Sequence, residues 1–523
     1  MKKRLIFHPL LFAAMPVLSL YVINAEQLYW HEISGTLLVV ISAAMILWLG
    51  FRLLLKSVDK SAWLISLFLI TFFSYNSVWN IASPAEMLIK PVLWLGLLAA
   101  VFFWTARSNR DFRLVNSFLN VVSIGWAAAI LVPWAYYMIV LARDSNARVN
   151  QYVTAWQDQL RTEQPVCDSN TLSSTRPNIY YIILDGYGRA DILKQLYDFD
   201  NAPFLEFLKD SGFYVADRSI SNYGQTALSQ SSSLNFTYLD DLQQQITLQS
   251  TNRLPLEAML EFSRLFEILR QDGYQIVTFP AGYLFTDISV GVDRHLAPPG
   301  SLTAFQTELL KSTPVPDLLQ LMANKSLYDL HRERILYALE QLPAAADATT
   351  PTLVYAHILA PHPPFVFGPN GELPDIANPS FSLADGDAFT GAYGRDAYVQ
   401  GYRDQLTFIT NQIRQAIGRI LASARRSTII VVQGDHGPGS RIDWEDPEKS
   451  NFQERMSILN VYYFPDQNYA KLYPGISPVN TFRVILDQYL CADLPLLDDR
   501  AYFSGLARPY DFIDVTCEVN ACP

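Results

Sequence analysis

The sequence predicts two regions: an all-α membrane region of five transmembrane helices, followed by an α/β domain with a largely parallel sheet flanked by helices. Three observations predict this division. Long apolar runs dominate the first 145 or so of the 523 residues, and the remainder has the composition of a soluble domain. In that remainder, apolar β-prone runs alternate with helical patterns. We expect a transmembrane domain at 1–145, a linker at 146–176 and an extracytoplasmic domain at 177–523.

Five apolar stretches in the first region approach the ~20 residues that cross a hydrocarbon core, although the fourth is short. They are Leu5–Ile23, Thr36–Leu55, Trp63–Ile81, Pro91–Trp104 and Val115–Leu141. Five such runs in succession favour membrane spans over buried core helices. A cleaved signal peptide could account for the first run alone, but no clear small-residue cleavage site follows it. We therefore predict five spanning helices.

Basic residues cluster in alternate loops of this region. The basic loops contain Lys2, Lys3, Arg4, Arg52, Lys56, Lys60, Arg107, Arg110 and Arg113, and the other loops contain Lys90 with Glu26, Glu32 and Glu86. An excess of Lys and Arg marks the cytoplasmic side. An odd number of spans then places everything after about Leu141 outside the cytoplasm, so we predict a multi-pass protein of the inner (cell) membrane with a periplasmic or other extracytoplasmic second region.

Charge and cysteine content narrow the class of protein. The formal net charge is -11, so the basic surface that nucleic-acid partners require is absent. The four cysteines (Cys167, Cys491, Cys517 and Cys522) lie in the predicted exported part, where an oxidising compartment permits disulfides. Cys517 and Cys522 are close enough in sequence to pair, and free buried thiols are the alternative.

Apolar runs without polar alternation recur in the second region, as expected of strands buried on both faces of a parallel sheet. The predicted strands are Asn178–Leu184, Tyr274–Phe279, Thr352–Ile358, Thr428–Val432 and Ser457–Phe464. Predicted helices are Leu265–Gln271, Tyr402–Ser423 and Pro478–Leu490. The run Pro361–Gly394 is rich in Pro, Gly, Asp and Ser, which predicts a long surface excursion.

Side chains with metal-binding chemistry stand where these strands end. Asp185 follows the first strand, Asp435 and His436 follow the fourth, and His357 and His362 lie at the end of the third. Ligands of open α/β sheets bind beyond the carboxyl ends of the strands. An Asp-Gly pair after a strand is also common in plain turns. Because three of the seven histidines fall at strand ends, a shared metal site is the better interpretation.

Two carboxylates and an imidazole suit Mn²⁺ or Zn²⁺ first, with Mg²⁺ or Ca²⁺ as alternatives. The missing ligand would be an oxygen, and the segment Asn222–Asn235 offers several hydroxyls. The plain alternative is a Ser-rich loop or a helix N-cap. In the functional interpretation, one of these hydroxyls binds the metal, loses its proton and becomes a nucleophile.

Several motifs resemble those of sulfatases, a family of the alkaline phosphatase superfamily. They are Pro-Asn-Ile-Tyr-Tyr-Ile-Ile-Leu-Asp-Gly at 177–186, Ala-Pro-Phe-Leu at 202–205, Ser-Gly-Phe at 211–213 and Gly-Asp-His-Gly at 434–437. His362, in Pro-His-Pro-Pro-Phe, resembles the substrate-contacting His of the family. The resemblance covers about 177–490 and implies an alkaline phosphatase-like fold with a metal held by Asp185, Asp435 and His436.

The resemblance places Thr226 at the nucleophile position, as a further metal ligand. Sulfatases have a Cys or Ser there, within Cys-x-Pro-x-Arg. No Cys lies near Thr226, so a formylglycine cannot form, and Gln230 stands at the position of the motif's Arg. Ser229 and the serines of Ser231–Ser233 are the local rivals for the role of nucleophile.

A Thr nucleophile with a single acid at the first strand end is similar to lipoteichoic-acid synthases and lipid A phosphoethanolamine transferases, which also carry five N-terminal spans. Their first acid is usually Glu, whereas this chain has Asp185. Phosphodiesterases of the superfamily use Asp and Thr with further ligands for a second metal, a role for which His357 is the candidate. Arg189 could bind an anion, although a solvated Arg is the simpler interpretation.

Together these implications predict a metal-dependent transferase of phosphoglycerol- or phosphoethanolamine-type groups. Thr226 would attack phosphorus, while His362 and His357 would stabilise the transferred group or the leaving oxygen. The substrate would be a membrane phospholipid or an envelope glycan, since a soluble substrate does not need five spans. One alternative is a hydrolase, either a sulfatase or a phosphodiesterase, in which water resolves the Thr226 intermediate. The other is a non-catalytic membrane assembly protein.

Overall fold

The computed structural model describes residues 5–78, 84–162, 176–374 and 381–520. Contacts divide the chain into two units. The helical unit comprises Met1–Ala147 and Leu302–Leu327, and the sheet unit comprises Arg148–Ser301 and Tyr328–Pro523. The segment Leu302–Leu327 therefore belongs to the helical unit, although the sequence suggested one uninterrupted domain from residue 177 onward.

The described helices and strands follow one another in the order of the chain. The helices are α1 (His8–Ile23), α2 (Trp30–Leu55), α3 (Val58–Phe73), α4 (Tyr75–Val78), α5 (Pro84–Arg107), α6 (Arg113–Tyr136), α7 (Arg143–Thr162), α8 (Ala190–Tyr197), α9 (Ala202–Asp210), α10 (Thr226–Asn235), α11 (Asp240–Gln245), α12 (Leu254–Glu261), α13 (Arg264–Gln271), α14 (Ala304–Lys311), α15 (Val315–Ala323), α16 (Leu327–Ala345), α17 (Gly386–Tyr393), α18 (Arg395–Ser423), α19 (Phe452–Met456), α20 (Pro478–Leu490) and α21 (Thr516–Asn520). The strands are β1 (Asn178–Leu184), β2 (Tyr214–Val215), β3 (Gln275–Thr278), β4 (Arg294–His295), β5 (Thr352–Ile358), β6 (Thr428–Gln433), β7 (Asn460–Tyr463), β8 (Tyr502–Phe503) and β9 (Ile513–Asp514). A π-helical turn, Tyr137–Leu141, extends α6.

Apolar helices make up the N-terminal part of the helical unit. Among the described residues, three stretches are long and apolar enough to cross a membrane: Trp30–Leu55, Ile89–Arg107 and Arg113–Val140. Helices α1 and α3 have 16 residues each. At 1.5 Å per residue each is about 24 Å long, less than the ~30 Å of a hydrocarbon core. The apolar N-terminal helices are thus confirmed, and the number of five spans stays a prediction.

The sheet unit is built on a seven-stranded sheet in its described residues, with the order β2-β7-β6-β1-β5-β3-β4. Strands β4, β3, β5, β1 and β6 are parallel to one another. Strand β7 is antiparallel to both β6 and β2. Every residue of β1, β5 and β6 is buried, as their continuous apolar runs predicted. The prediction of a largely parallel sheet flanked by helices is confirmed.

The two faces of the sheet are covered by different helices. Alternate residues of β1 face opposite sides, with Ile179, Tyr181 and Ile183 in one core and Tyr180, Ile182 and Leu184 in the other. Helices α10, α12, α13 and α20 contribute to the first core, and α8, α9, α16 and α18 contribute to the second. Because both faces are covered, functional side chains must lie at the ends of the strands.

The cysteines of the described residues are in two states. Cys491 is free and exposed. Cys517 is disulfide-bonded. Cys167 and Cys522 lie outside the described residues, so the pairing of Cys517 with Cys522 stays a prediction. Part of the predicted surface excursion, 375–380, also lies outside them.

Candidate metal centre

The turn after β1 directs the Asp185 carboxylate into the interior at the end of the sheet. Gly186 adopts a φ of 73°, a left-handed conformation that a glycine tolerates without strain. The Tyr402 hydroxyl donates to the Gly186 carbonyl at 2.8 Å, and the Gly186 N–H donates to Asp435 Oδ1 at 3.1 Å. The Asp-Gly pair is therefore both a turn and the support of a buried carboxylate, and it joins the end of β1 to the loop after β6.

Asp435 stands in that loop with its two oxygens in different surroundings. Its Oδ1 accepts hydrogen bonds from the backbone N–H groups of Gly186 and His436, at 3.1 and 3.0 Å. Its Oδ2 is buried without a hydrogen-bond partner. One oxygen thus fixes the orientation of the carboxylate, and the other is left for a ligand.

The backbone sets the tautomer of His436. Its Nδ1 lies 2.9 Å from the Gly437 carbonyl, which can only accept, so Nδ1 carries the hydrogen. Burial and the nearby Arg455 lower the pKa of His436, which favours the neutral ring. The Nε2 lone pair then faces Asp185 Oδ1 at 3.4 Å and Asp435 Oδ2 at 3.6 Å.

These three side chains fit a divalent metal ion. Asp185, Asp435 and His436 each offer one ligand atom, and the three atoms lie within 4.8 Å of one another. Asp185 Oδ1, like Asp435 Oδ2, is buried without a hydrogen-bond partner. A buried carboxylate oxygen without a partner is costly, and a cation at this point would satisfy both oxygens at once. A nitrogen and two carboxylate oxygens are ligands of the kind that Zn²⁺ and Mn²⁺ accept.

The Thr226 hydroxyl borders the same point. Thr226 is the first residue of α10, and its Oγ1 lies 3.1 Å from His436 Nε2. Ser229 lies one turn further along, and its hydroxyl donates to the Asp435 carbonyl at 2.6 Å. The hydroxyls of Ser231, Ser232 and Ser233 donate to the carbonyls of Leu256, Thr237 and Gln230. The serines of α10 thus bond to backbone oxygens, whereas Thr226 faces the three candidate ligands.

His357 lies behind Asp185. Its Nε2 is 3.2 Å from Asp185 Oδ2, and its Nδ1 is 2.7 Å from the Thr286 hydroxyl. Burial opposes ionisation of Asp185, but His362, His357 and His436 together hold the pKa of this carboxyl below its usual value. In this position His357 can orient the carboxylate, where the sequence suggested contact with the transferred group or with a second metal.

His362 lies on another side of the centre and is held as a cation. Its Nδ1 is 2.5 Å from the Pro363 carbonyl, and its Nε2 is 3.4 Å from Asp385 Oδ1. A carbonyl and a carboxylate both accept, so both ring nitrogens carry hydrogens. Burial alone would lower the pKa of His362, but Asp185 and Asp385 outweigh it and raise that pKa to about 9.

An ion pair that the sequence analysis did not identify adjoins this group. Arg455 is 1% exposed, and its Nη1 and Nη2 donate to the two oxygens of Asp385 at 3.1 and 2.6 Å. Asp385 lies in the run that predicted a surface excursion, and Arg455 lies in the short helix α19 among polar residues. Neither residue stands in a recognisable motif or at a strand end, and nothing in the sequence indicates the burial of this arginine.

Two residues that the sequence analysis named take other roles. Arg189 forms a two-bond ion pair with Asp191, at 2.7 and 2.9 Å, and also donates to the Ser219 carbonyl. Gln230 is buried in α10, where its side-chain oxygen accepts from the Tyr355 hydroxyl. Arg189 is thus engaged in an ion pair of its own, and the position of the motif's Arg is occupied by a neutral core residue.

Comparison with known families agrees with this geometry. The family model described as Sulfatase matches residues 177–487, more than half of the chain. The chain belongs to the sulfatase family. It is a sulfatase-like enzyme. Comparison of the sequence with curated proteins finds no match.

Three solved structures with a similar fold match different shares of this chain. The C-terminal periplasmic domain of EcEptC from Escherichia coli, in a complex with Zn, is 12% identical, with 65% of this chain and 93% of that chain covered and a TM-score of 0.43. The integral membrane protein lipooligosaccharide phosphoethanolamine transferase A from Neisseria meningitidis is 14% identical, with 91% and 95% covered and a TM-score of 0.39. The phosphonate monoester hydrolase of Agrobacterium radiobacter is 14% identical, with 63% and 80% covered and a TM-score of 0.41.

Proposed function

We propose that this enzyme transfers a phosphoryl-centred group, of the phosphoglycerol or phosphoethanolamine type, to an envelope lipid or glycan through Thr226. One observation carries the proposal. The Thr226 hydroxyl lies 3.1 Å from His436 Nε2, at the point where Asp185 Oδ1 and Asp435 Oδ2 are buried without partners. A hydroxyl beside a divalent-metal site is the arrangement that an oxygen nucleophile needs.

Asp185, Asp435, His436 and Thr226 would hold the ion, with Zn²⁺ or Mn²⁺ as the first candidates. When bound, a divalent metal would lower the pKa of the Thr226 hydroxyl, so that its proton passes to water, and would neutralise charge on the phosphoryl oxygens. The neutral imidazole of His436 and the two negative carboxylates of Asp185 and Asp435 together suit a doubly charged ion. His357 would keep the Asp185 carboxylate in this orientation.

The transfer then has two halves. Thr226 Oγ1 forms a bond to phosphorus, and the bond from phosphorus to the leaving oxygen breaks. His362, held as a cation between the Pro363 carbonyl and Asp385, stabilises the negative charge on that leaving oxygen, which takes its proton from water. An acceptor alcohol next attacks the phosphorus and gives its proton to water, and the bond from phosphorus to Thr226 Oγ1 breaks. The backbone N–H groups in the first turn of α10 would face the anion in both halves.

The proposed substrate is membrane-bound. The N-terminal apolar helices indicate a membrane protein, and the basic residues of alternate loops favour an extracytoplasmic sheet unit. From that position the centre would meet phospholipid head groups or envelope glycans. We propose an inner-membrane location with five spans and the sheet unit on the periplasmic or outer side.

A hydrolase is the second candidate function. Hydrolysis would use the same residues, with water in place of the acceptor alcohol. A sulfatase acting through formylglycine is disfavoured, because the nucleophile position holds a Thr and the described residues of α10 include no Cys. A purely structural role is disfavoured by the two buried carboxylate oxygens that lack partners.

The proposal can be tested with purified, metal-loaded, full-length enzyme in lipid bilayers. Phospholipids labelled in the head group serve as donors, and an aryl sulfate and a phosphate diester serve as soluble substrates. We expect release of diacylglycerol from the phospholipid, transfer of label to an added lipid or glycan acceptor, and a higher kcat/KM for the phosphate diester than for the aryl sulfate. Label recovered in water alone would favour the hydrolase. A higher kcat/KM for the sulfate ester would contradict phosphoryl transfer.

A further inference from the structure

We propose that Arg455 is the residue that binds the anionic oxygens of the transferred group, in place of the arginine that α10 lacks. This inference rests on the proposed function, since it concerns the substrate of the same centre. Position 230, where the resemblance would require an Arg, holds a glutamine that bonds to Tyr355 inside the core. The centre nevertheless contains a buried guanidinium, supplied by a different helix.

Neighbouring groups accept most of the hydrogen bonds that the Arg455 guanidinium can donate. Its Nε donates to the Gly224 carbonyl at 2.8 Å, and one hydrogen on each Nη goes to Asp385. Trp444 lies against the guanidinium, with the ring centroid 5.0 Å from Cζ. An arginine has five N–H donors in a rigid plane, and these contacts fix that plane. The guanidinium is therefore preorganised and does not have to be immobilised when a substrate binds.

The remaining hydrogen on Nη2 faces the candidate centre. In this structure that hydrogen is donated to His436 Nε2 at 3.2 Å, and Thr226 Oγ1 lies 3.1 Å from the same atom. A metal ion bound at Nε2 would take this lone pair and leave the Nη2 hydrogen for an anion. Both Nη2 and Thr226 Oγ1 border His436 Nε2, so a tetrahedral group attached to Thr226 can extend to Nη2. Gly224, which fixes Nε, also stands two residues before Thr226, so the nucleophile segment and the guanidinium are held together. A charge-assisted N–H···O bond is about twice as strong as a neutral one, and this geometry offers one to the anion.

Charge balance supports the same role. Among the residues that the structure describes, Asp385 is the carboxylate that forms an ion pair with Arg455, and it also faces His362. With a divalent ion bound, Arg455, His362 and the ion would carry four positive charges against the three carboxylates Asp185, Asp435 and Asp385, which leaves one positive charge in excess beside the Thr226 hydroxyl. The pair Asp385 and His362 is also unsuited to a second metal, because the guanidinium already occupies both carboxylate oxygens. A phosphoryl or sulfuryl group would supply the missing negative charge.

The test measures anion binding separately from turnover. All variants are made in a Thr226→Ala background, where no covalent adduct can form, and orthophosphate binding to metal-loaded protein is measured by calorimetry. The test variant is Arg455→Met with Asp385→Asn, so that no buried carboxylate is left unpaired. The matched control is Arg189→Met with Asp191→Asn, which removes an ion pair outside the centre. Metal content and thermal midpoint are recorded for both.

We expect the Arg455 variant to retain its metal and to bind orthophosphate at least about tenfold more weakly, the loss of one bond to a charged group. The control should bind orthophosphate as the background protein does. Unchanged binding in the Arg455 variant, or loss of its metal together with its binding, would overturn the inference. The outcome is distinct from failure of the proposed function, which would appear as missing transfer activity in protein that still binds orthophosphate through Arg455.

A second, independent observation concerns the segment Leu302–Leu327. We infer that its helices α14 and α15 lie in the boundary of the bilayer that the N-terminal helices cross. The segment is attached to the helical unit by polar bonds as well as by packing. Gln306 donates to the Thr36 hydroxyl at 3.2 Å, and the Tyr75 hydroxyl donates to Asp317 at 2.8 Å.

These attachment points lie at one end of the bundle. Thr36 is in the second turn of α2, far from Arg52 at its other end, and Tyr75 follows the end of α3. The opposite end holds the basic loops, where Lys60 donates to the Ala106 carbonyl at 3.2 Å. The helices α14 and α15 are therefore fixed at the level where the apolar helices emerge on the side away from the basic loops.

The exposed face of α15 is apolar, as expected of a helix that lies at the surface of a bilayer. Leu321 is 44% exposed and Met322 is 83% exposed, and α15 packs against α5. The exposed surface of α5 is itself apolar, with Ile89, Val92 and Leu93 each more than half exposed. The apolar face of α15 thus continues the surface that a membrane would cover. A helix with its apolar side at the boundary between head groups and acyl chains has this arrangement.

Fluorescence quenching tests this placement in the full-length protein. Met322→Cys and Leu373→Cys are each made in a Cys491→Ser background, labelled with a small fluorophore and placed in bilayers that contain brominated phospholipid. Leu373 is an exposed apolar residue of the sheet unit and serves as the matched control. Labelled background protein gives the baseline.

We expect bromine to quench the label at position 322 and to leave the label at position 373 bright. Equal quenching at both positions, or none at 322, would overturn the assignment. A disulfide-linked dimer formed by Met322→Cys protein would show that a second copy of the chain covers this face, and would also overturn it. Neither readout depends on the activity of the centre.

Discussion

The Nε2 atom of His357 lies 3.2 Å from Oδ2 of Asp185, while Oδ1 of the same carboxylate is buried without a hydrogen-bond partner. The two oxygens of Asp185 therefore have different tasks. One lies within ion-pair distance of a histidine of the neighbouring strand, and the other lies 3.4 Å from His436 Nε2. Partners of this kind fix the orientation of a metal ligand without touching the metal.

Replacing His357 with Gln should weaken metal binding without removing a ligand. Loss of such an outer partner typically costs about 10–100-fold in metal affinity. We expect that range for His357→Gln, measured by competition with a chelator of known affinity. His295→Gln is the control, because His295 lies on the outer strand β4 and pairs with Thr278. Equal affinity in the two variants would remove His357 from the support of the centre.

Substitution of a proposed metal ligand should lower metal binding more than His357→Gln does. Asp435→Asn removes the negative charge of one of the three converging ligands and His436→Ala removes another ligand atom, and neither change opens a large cavity in the core. We expect both variants to fold but to be purified without metal and without turnover. Elemental analysis gives the metal content, and circular dichroism gives the fold. Full metal occupancy in either variant would show that Asp435 and His436 form a turn and not a site.

The raised pKa of His362 predicts a pH dependence for the metal-free enzyme. Its pKa is about 9 in the folded protein against 6.5 for an unperturbed histidine, so the unfolded chain binds fewer protons between these values. This group therefore stabilises the fold fully below about pH 6.5, and that stability is lost as the pH rises through about 9. We expect the thermal midpoint of metal-free protein to fall over this interval.

The contribution of His362 to stability can be measured as the difference in thermal midpoint between the unsubstituted protein and His362→Gln. The midpoint of His362→Gln, measured with chelator present, should lie below that of the unsubstituted protein near pH 6, and the gap should close above about pH 9. A gap that is constant with pH would mean that His362 is not held as a cation by Asp185 and Asp385.

The membrane orientation predicts the compartment of the C-terminal end. A reporter that is active only outside the cytoplasm should be active when fused after Pro523, because five spans with basic cytoplasmic loops place that end outside. A cytoplasm-specific reporter at the same point should be silent. Signal from the cytoplasmic reporter would overturn both the five-span prediction and the proposed compartment.

The parts of this protein that the sequence predicts are those with a local pattern. Strands β1 and β5 have the predicted bounds, because continuous apolar runs bounded by polar residues are typical of strands buried on both faces. Asp185, Asp435 and His436 stand at the ends of such strands, and parallel strands bring their carboxyl ends to one edge. The two-residue strands β2 and β4 are too short to carry any periodicity and were not predicted.

The parts that the sequence does not predict depend on long-range packing. Asp385 and Arg455 are 70 residues apart and lie in polar stretches that resemble surface loops. Their mutual charge makes burial of both tolerable, and a pairing of this kind has no local signal. The position of Leu302–Leu327 in the helical unit likewise depends on its bonds to Thr36 and Tyr75 rather than on its own composition.

The role of Thr226 is the central claim, and trapping of the covalent intermediate tests it most directly. Enzyme stopped during turnover of a donor labelled in its phosphoryl group is digested, and the labelled peptide is sequenced by mass spectrometry. We expect the adduct on Thr226, none in Thr226→Ala, and a loss of kcat of at least ~10³-fold in that variant, since removal of the attacking oxygen leaves only binding and charge stabilisation. Ser229→Ala should form the adduct normally, because its hydroxyl bonds to the Asp435 carbonyl. An adduct on Ser229 or on any serine of Ser231–Ser233, or full activity in Thr226→Ala, would contradict the assignment of Thr226 as the nucleophile.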